Sequence, residues 1–193
     1  EVRSQVTTKS GDEGESTALD GERYPKSHPI MECVGTLDEL WAHTALLRLR
    51  ILDEKPAGSD ELGAFLLWLL RVYFVMGSTC SDPARKHPEY HPREVEPRDL
   101  ERLEAEQQRL EACTPLPHSF ILSPANTLAA QADIACTVAR RLERAYWRLC
   151  ETEHVQASNT LPAFLNRLSD YLYILARHLD GGQHVTVDSQ PLD

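Results

Sequence analysis

Arg140 and Arg144 stand four residues apart within the stretch Ala135 to Arg148, so on a helix their guanidiniums project from one face a single turn apart. Each guanidinium carries five donors in a fixed fork, and two of them at this spacing could grip an anion such as a polyphosphate. On a 3.6-residue period Asp133, Cys136, Arg140 and Arg144 share one stripe, while Ile134, Val138, Leu142 and Leu149 define a second, apolar one. The plainer alternative is a solvated helix face whose arginines pair with Glu143 and neighbouring acids.

A second group lies near the start of the chain. Thr8-Lys9-Ser10-Gly11-Asp12-Glu13-Gly14-Glu15-Ser16-Thr17 combines glycines that let backbone N–H groups turn toward an anion, hydroxyls that donate, and a lysine. It is not a Walker A loop, which needs GxxxxGK[ST]. By composition the segment is either a ligand loop or a floppy terminus. A third group, Asn166, Asp170, Tyr173 and Arg177, recurs at helical spacing beside the leucine seam Leu165, Leu168, Leu172, Leu175 and Leu179. Other chemistries find little support. Di-iron bundles need two Glu-x-x-His pairs, and Glu151 with His154 is the one such pair found near a helix end. No nucleophile sits in a recognisable elbow, and the eight histidines are scattered.

The elements that must carry these groups are helical. Thr36 with Glu39 three residues on has the form of a capping box, which predicts a first helix from Thr36 to about Glu54, stopped by Pro56 and Gly58. A second, Ser59 to Ser78, is apolar nearly all round and reads as a central helix. Four prolines between Asp82 and Pro97 predict an irregular connection. A third helix, Arg98 to Cys113, is outer and highly charged. Ser123-Pro124 reads as a hydroxyl cap and a first-turn proline, opening a fourth helix that runs to Glu153 and holds the arginine stripe. The fifth, Leu161 to Leu179, ends at Gly181-Gly182, with a mobile tail after it. The fold class is therefore all-α, a five-helix bundle.

With 193 residues the chain fits one domain. Its net charge of -10 argues against a nucleic-acid surface, so any anion site must be local. Five cysteines with no CxxC pair suit reduced thiols rather than a disulfide framework or zinc site. The longest apolar run, Leu62 to Met76, carries Arg71 and is too short to span a bilayer, so no membrane role is expected. The chain opens at Glu1 with neither a signal-peptide apolar region nor an Arg-rich transit segment, leaving a removed presequence or a trimmed start.

In order, Thr8 to Thr17, Gly21-Glu22-Arg23 with Lys26, Gly35-Thr36-Leu37-Asp38-Glu39-Leu40, Phe120-Ile121-Leu122, Arg140-Arg141-Leu142-Glu143-Arg144 and Phe164-Leu165-Asn166-Arg167-Leu168-Ser169-Asp170 resemble the signatures of the PduO-type ATP:cob(I)alamin adenosyltransferases, a family that includes a mitochondrial enzyme. The resemblance implies a single domain with ferritin-like up-and-down packing: an N-terminal nucleotide loop (1–33), a helical bundle (34–181) and a tail (182–193). It implies a homotrimer with ATP and cobalamin in clefts between subunits. Thr8, Lys9, Ser10, Gly11, Asp12, Gly14 and Ser16 would wrap the triphosphate, whose Mg²⁺ arrives with ATP and takes no assigned protein ligand. Lys26, Arg140, Arg144 and Asn166 would add nucleotide contacts. Phe120 would lie under the corrin, where a bulky ring displaces the lower axial ligand and eases reduction to Co(I). Arg140, Asp38 and Phe120 are the expected catalytic positions. The cobalt is the nucleophile at the ribose C5′, so the protein supplies position and charge. Expected partners are a reductase or an acceptor mutase, in the mitochondrial matrix or otherwise the cytoplasm.

The sequence also departs from that pattern. Cys136 stands where an arginine is expected one turn before Arg140, the residue that in the family pairs with the aspartate matching Asp38 across a subunit boundary. Loss of one partner of a dry pair costs about 3–5 kcal/mol. Asp133 replaces a common histidine, Ser123-Pro124-Ala125-Asn126 replaces a Pro-Gly-Gly turn, and Trp41 takes a position usually small or amide. A degenerate homologue, kept as a structural or assembly subunit of a larger mitochondrial complex and still binding ATP, is the alternative to an active enzyme.

Overall fold

Five helices carry the apolar seams of the sequence into one bundle; the computed structural model describes residues 6–189. They are α1 (Pro29–Glu54), α2 (Ser59–Ser81), α3 (Pro97–Glu111), α4 (Thr127–Glu153) and α5 (Leu161–Asp180). Two short antiparallel strand pairs accompany them, β1 (Glu15–Thr17) with β2 (Arg23–Pro25), and β3 (Ile121–Ser123) with β4 (Val185–Thr186). The main packing order runs α2 on α1, α1 on α4, α4 on α5, and α3 on the outer side of α5. Phe65 of α2 meets Tyr171 of α5 at 5.0 Å between ring centroids, which closes the bundle across its core. At the α1/α2 crossing a Cβ on Gly63 would lie 2.7 Å from Leu52 Cδ2, so glycine permits the close approach.

The first helix starts seven residues before the expected Thr36. His28 caps it, its Nδ1 accepting from the Ile30 N–H, and Pro29 occupies the first turn where no donor is needed. Thr36 caps nothing. It is buried, and its hydroxyl donates to the Glu32 carbonyl at 2.7 Å, while Gly35 is simply absorbed into the helix. The bundle thus begins inside the stretch expected to be loop. The fourth helix is likewise capped by Asn126, whose Oδ1 accepts from the Ala129 N–H at 2.9 Å, and not by Ser123, which belongs to β3. The third helix does use a capping box, Glu96 with Asp99. Gly181, at a φ of 58°, ends the fifth as expected.

Two expectations for α2 need correction. At 23 residues it is long and apolar enough to cross a bilayer by length and composition, because helix continues beyond the apolar run at both ends. It is also not central. Its inner face packs on α1, but Phe74 is 63% exposed, and Leu67 is exposed with it, so the all-round apolarity includes an outward stripe beside Trp41.

The 82–96 connection is held by a buried carboxylate. Asp82 Oδ1 accepts the Lys86 N–H, and its Oδ2 accepts the His87 N–H and lies 2.9 Å from His91 Nε2. Both Asp82 and His91 side chains are buried. The same connection and the end of α2 clasp the first hairpin: Lys86 Nζ lies 3.2 Å from Asp20 Oδ2, and the Leu19 N–H donates to Ser81 Oγ. Of the tail after Gly182, expected to be mobile, the part through Ser189 is tied down, and residues 190–193 lie outside the described residues. β4 pairs with β3, and the Val187 N–H donates to the Phe120 carbonyl at 2.9 Å. Four cysteines are buried, and Cys113 is exposed beside His178.

Candidate functional site

A cleft of about 620 Å³ opens between α4, α5 and the segment that links α3 to α4. One wall is apolar and comes from Pro117, Phe120, Ile121, Leu122 and Pro124; the other holds Asp133, Cys136, Arg140, Tyr173 and Arg177. Phe120 is 86% exposed, so its ring plays no part in the core. Pairing of β3 with β4 fixes its backbone while the ring stands free. An aromatic ring held open in this way can stack on a flat apolar ligand.

The stripe from Asp133 to Arg144 exists as a stripe, with one revision. Ile134, assigned to the apolar face, is exposed, whereas Cys136 of the polar stripe is buried. Cys136 Sγ donates to the Ser169 carbonyl at 3.2 Å, and burial pushes the thiol above its ordinary pKa, with Arg140 opposing and Asp133 adding. The thiol is therefore neutral, a structural group and not a nucleophile. Arg140 and Arg144 form no ion pair among the described residues; Arg144 Nη1 donates to the Arg140 carbonyl. The neighbour Arg141 takes up the acid instead, pairing with Glu39 of α1. Two exposed arginines without carboxylate partners leave their donors for an incoming anion. Antiparallel packing of α4 on α5, set by Cys136 at Ser169 and Asn126 at the Leu179 carbonyl, puts Asn166 at the level of Arg140.

From Thr8 onward the N-terminal loop is folded. The Asp12 N–H donates to the Lys9 carbonyl, the Gly14 N–H to the Gly11 carbonyl, and Thr8 Oγ1 lies 2.8 Å from Ser10 Oγ. Lys26 is brought to the same turn: its N–H donates to the Gly14 carbonyl, and a Cβ on Gly11 would lie 3.1 Å from its Nζ. Arg23 buttresses the turn through the Ser10 carbonyl and Glu15. Thus Thr8, Lys9, Ser10, Gly11, Asp12, Gly14, Ser16 and Lys26 share one small hairpin. That hairpin sits at the end of the bundle where His28 meets Glu153, and no hydrogen bond or ion pair joins it to Arg140 or Phe120.

Asp38 is placed elsewhere again. It lines a groove of about 440 Å³ on the α1/α2 side, with Leu37, Trp41, Tyr73 and Phe74. It is exposed and has no donor among the described residues, so the penalty of a stranded dry charge does not arise within the chain. Between the α1/α2 groove and the α4/α5 cleft runs the seam of α1 with α4, which the Glu39 and Arg141 pair bridges.

The most deeply buried charge of the cleft is one that the sequence placed on a polar stripe without a role. Arg177 is 2% exposed; its Nη2 donates to Asp133 Oδ2 at 2.9 Å, and its Nε lies 3.1 Å from Asp180 Oδ2, close enough to attract but out of line for a hydrogen bond. The polar stripe on the fifth helix was its signal, since Arg177 closes that stripe.

A protein-family model described as cobalamin adenosyltransferase matches residues 6–179. The corrinoid adenosyltransferase PduO of Salmonella typhimurium is 34% identical over 182 residues, covering 93% of this chain and 51% of its own length. The corrinoid adenosyltransferase MMAB of Homo sapiens is 31% identical over 176 residues, covering 90% of this chain and 68% of its own. A cobalamin adenosyltransferase of Cupriavidus metallidurans is 34% identical, with 94% and 93% covered. The chain spans about half the length of the PduO relatives. Among solved structures, a variant PduO-type ATP:corrinoid adenosyltransferase from Lactobacillus reuteri, in complex with cobalamin and ATP, superposes with a TM-score of 0.80 at 24% identity, covering 94% of this chain and 97% of that one.

Proposed function

The chain belongs to the cobalamin adenosyltransferase family, and from that membership we propose that it transfers the 5′-deoxyadenosyl group of ATP to the cobalt of a reduced corrinoid. The Co(I) electron pair attacks the ribose C5′, a Co–C bond forms, the C5′–O bond breaks, and triphosphate leaves with the electrons of that bond. One observation carries the reading: a free aromatic ring, Phe120, and an uncompensated guanidinium, Arg140, face a single cleft large enough for both reactants' ends.

In this reading Phe120 supports the corrin, and Arg140 with Arg144 neutralises charge that builds on the departing triphosphate. The hairpin of Thr8 to Ser16 with Lys26 wraps the phosphates, and Asn166 contacts the nucleotide. Mg²⁺ would arrive with ATP and be held chiefly by phosphate oxygens and water, as that ion favours. The chain's residues orient ATP and hold the leaving charge; the metal supplies further neutralisation when bound.

A single copy leaves hairpin, cleft and Asp38 on three separate surfaces, so the site needs a second copy. The homotrimer implied by the resemblance would set the apolar α1/α2 groove of one copy, rimmed by Asp38 and Phe74, against the α4 stripe of the next. The reaction calls for a reductant and a reducing compartment, the matrix or the cytoplasm.

One observation favours a second reading, a nucleotide-binding structural subunit of a larger assembly. Cys136, buried against Ser169, offers Asp38 no donor where an arginine would. An anaerobic turnover assay with ATP and chemically reduced cob(I)alamin separates the two. The expected result is loss of the Co(I) absorbance as adenosylcobalamin forms, and a fall in kcat of about 10²–10³ in Arg140→Ala, typical of removing one charge-stabilising donor. ATP binding without turnover in the parent protein would sink the enzyme reading.

A further inference from the structure

We propose that Asp133 makes the cleft selective for corrinoids whose peripheral side chains are amides over those with free carboxylates; this rests on the adenosyltransferase reading. Asp133 projects from α4 into the cleft with its side chain 32% exposed. One oxygen, Oδ2, accepts from Arg177; the other has no donor among the described residues and remains for whatever fills the cleft.

Arg177 does not cancel this negative character, because it is shared. Its guanidinium lies between Asp133 and the fully buried Asp180, and it stacks 5.3 Å from the Tyr173 ring, which keeps it in place. The three groups together carry one formal negative charge. The Gly182 N–H and the His184 ring fix the other oxygen of Asp180, Oδ1, so the buried carboxylate stays aimed at Arg177 and keeps its share of the guanidinium's charge. Arg140 is the positive group, but it stands seven residues further along α4, roughly 10 Å away at 1.5 Å per residue.

The cleft therefore has two ends of opposite character. The Arg140 end suits phosphate oxygens. At the other end of the cleft that Phe120 also lines, an acceptor-only carboxylate waits for N–H donors. A corrin rim of primary amides provides such donors. A rim of carboxylates would set like charges together in a partly water-excluded cleft, which is strongly unfavourable.

The test compares cobinamide, with amide side chains, and cobyrinic acid, with carboxylates, as oxidised corrinoids in equilibrium dialysis against the full chain. The expected result is a preference for cobinamide of at least about tenfold at low salt that shrinks as screening shortens the range of the repulsion. Asp133→Asn should reduce the preference to within about threefold by strengthening cobyrinic acid, while Asp133→Glu retains it. An unchanged preference in a folded Asp133→Asn, or a wild-type preference indifferent to salt, overturns the assignment of Asp133 and leaves the enzyme reading intact. Binding of neither corrinoid would instead overturn the enzyme reading, and this inference with it.

Discussion

Cys136 shows how a single replacement changes what a residue can reach. A thiol fits within van der Waals distance of α5 and donates a hydrogen bond to the Ser169 carbonyl, but it ends there. An arginine at that position would extend past α5 into the cleft and beyond the chain's own surface. Asp38, exposed on the far groove, has no donor among the described residues and in the proposed trimer would be the acceptor on a second copy. Cys136→Arg is accordingly expected to tighten self-association about tenfold or more, as judged by sedimentation across a dilution series, with the gain removed by adding Asp38→Ala. No gain would mean that the interface has been rebuilt around the cysteine. Type and spacing of Arg140 and Arg144 were legible in the sequence, because helical period alone puts them on one face. The burial of Arg177 was not, since a polar residue at helical spacing reads the same whether it faces water or two carboxylates.

At the level of elements, helix bodies followed from apolar period and helix ends did not. The fifth helix announced both of its ends, with Leu161 and Gly181-Gly182, because glycine is the residue that adopts the left-handed C-terminal conformation at least cost. The first helix misled: His28 is an uncommon cap, and the Thr36 and Glu39 pair imitates a capping box from within the helix. Strand β4 was invisible, since its order comes from pairing with β3, a contact more than sixty residues away along the chain. The 82–96 connection was expected to be irregular, and it is, yet it is fixed by Asp82. Burial works to raise the Asp82 pKa, but the N–H groups of His87 and Lys86 and the His91 ring outweigh it and hold the carboxyl below its ordinary value of 3.8. A lowered native value contributes stability that is complete above the unfolded pKa and is lost as pH falls through the native one. Asp82→Asn should thus cost about 1–3 kcal/mol at pH 7, and the gap to wild type should close below the ordinary value. Denaturant unfolding from pH 7 to pH 2 measures this, and a gap of constant size would contradict it.

For the whole molecule, the outward stripe of α2 decides most. Phe74 and Leu67, with Trp41 of α1, give this face the chemistry of an interior. If the proposed trimer holds, Phe74→Glu is expected to yield monomers in analytical ultracentrifugation with an unchanged helical circular dichroism signal, and to lower turnover at least about tenfold, since in that assembly each site draws on two copies. Retention of the assembly would remove α2 from the interface. Cys113 adds a practical consequence. It is the exposed cysteine of the five, one end of the segment that leads to Phe120, and the other four are shielded in helix contacts. A thiol-reactive fluorophore would therefore attach at one place without mutagenesis, and its emission would report when the segment bearing Phe120 meets a coloured macrocycle that quenches light.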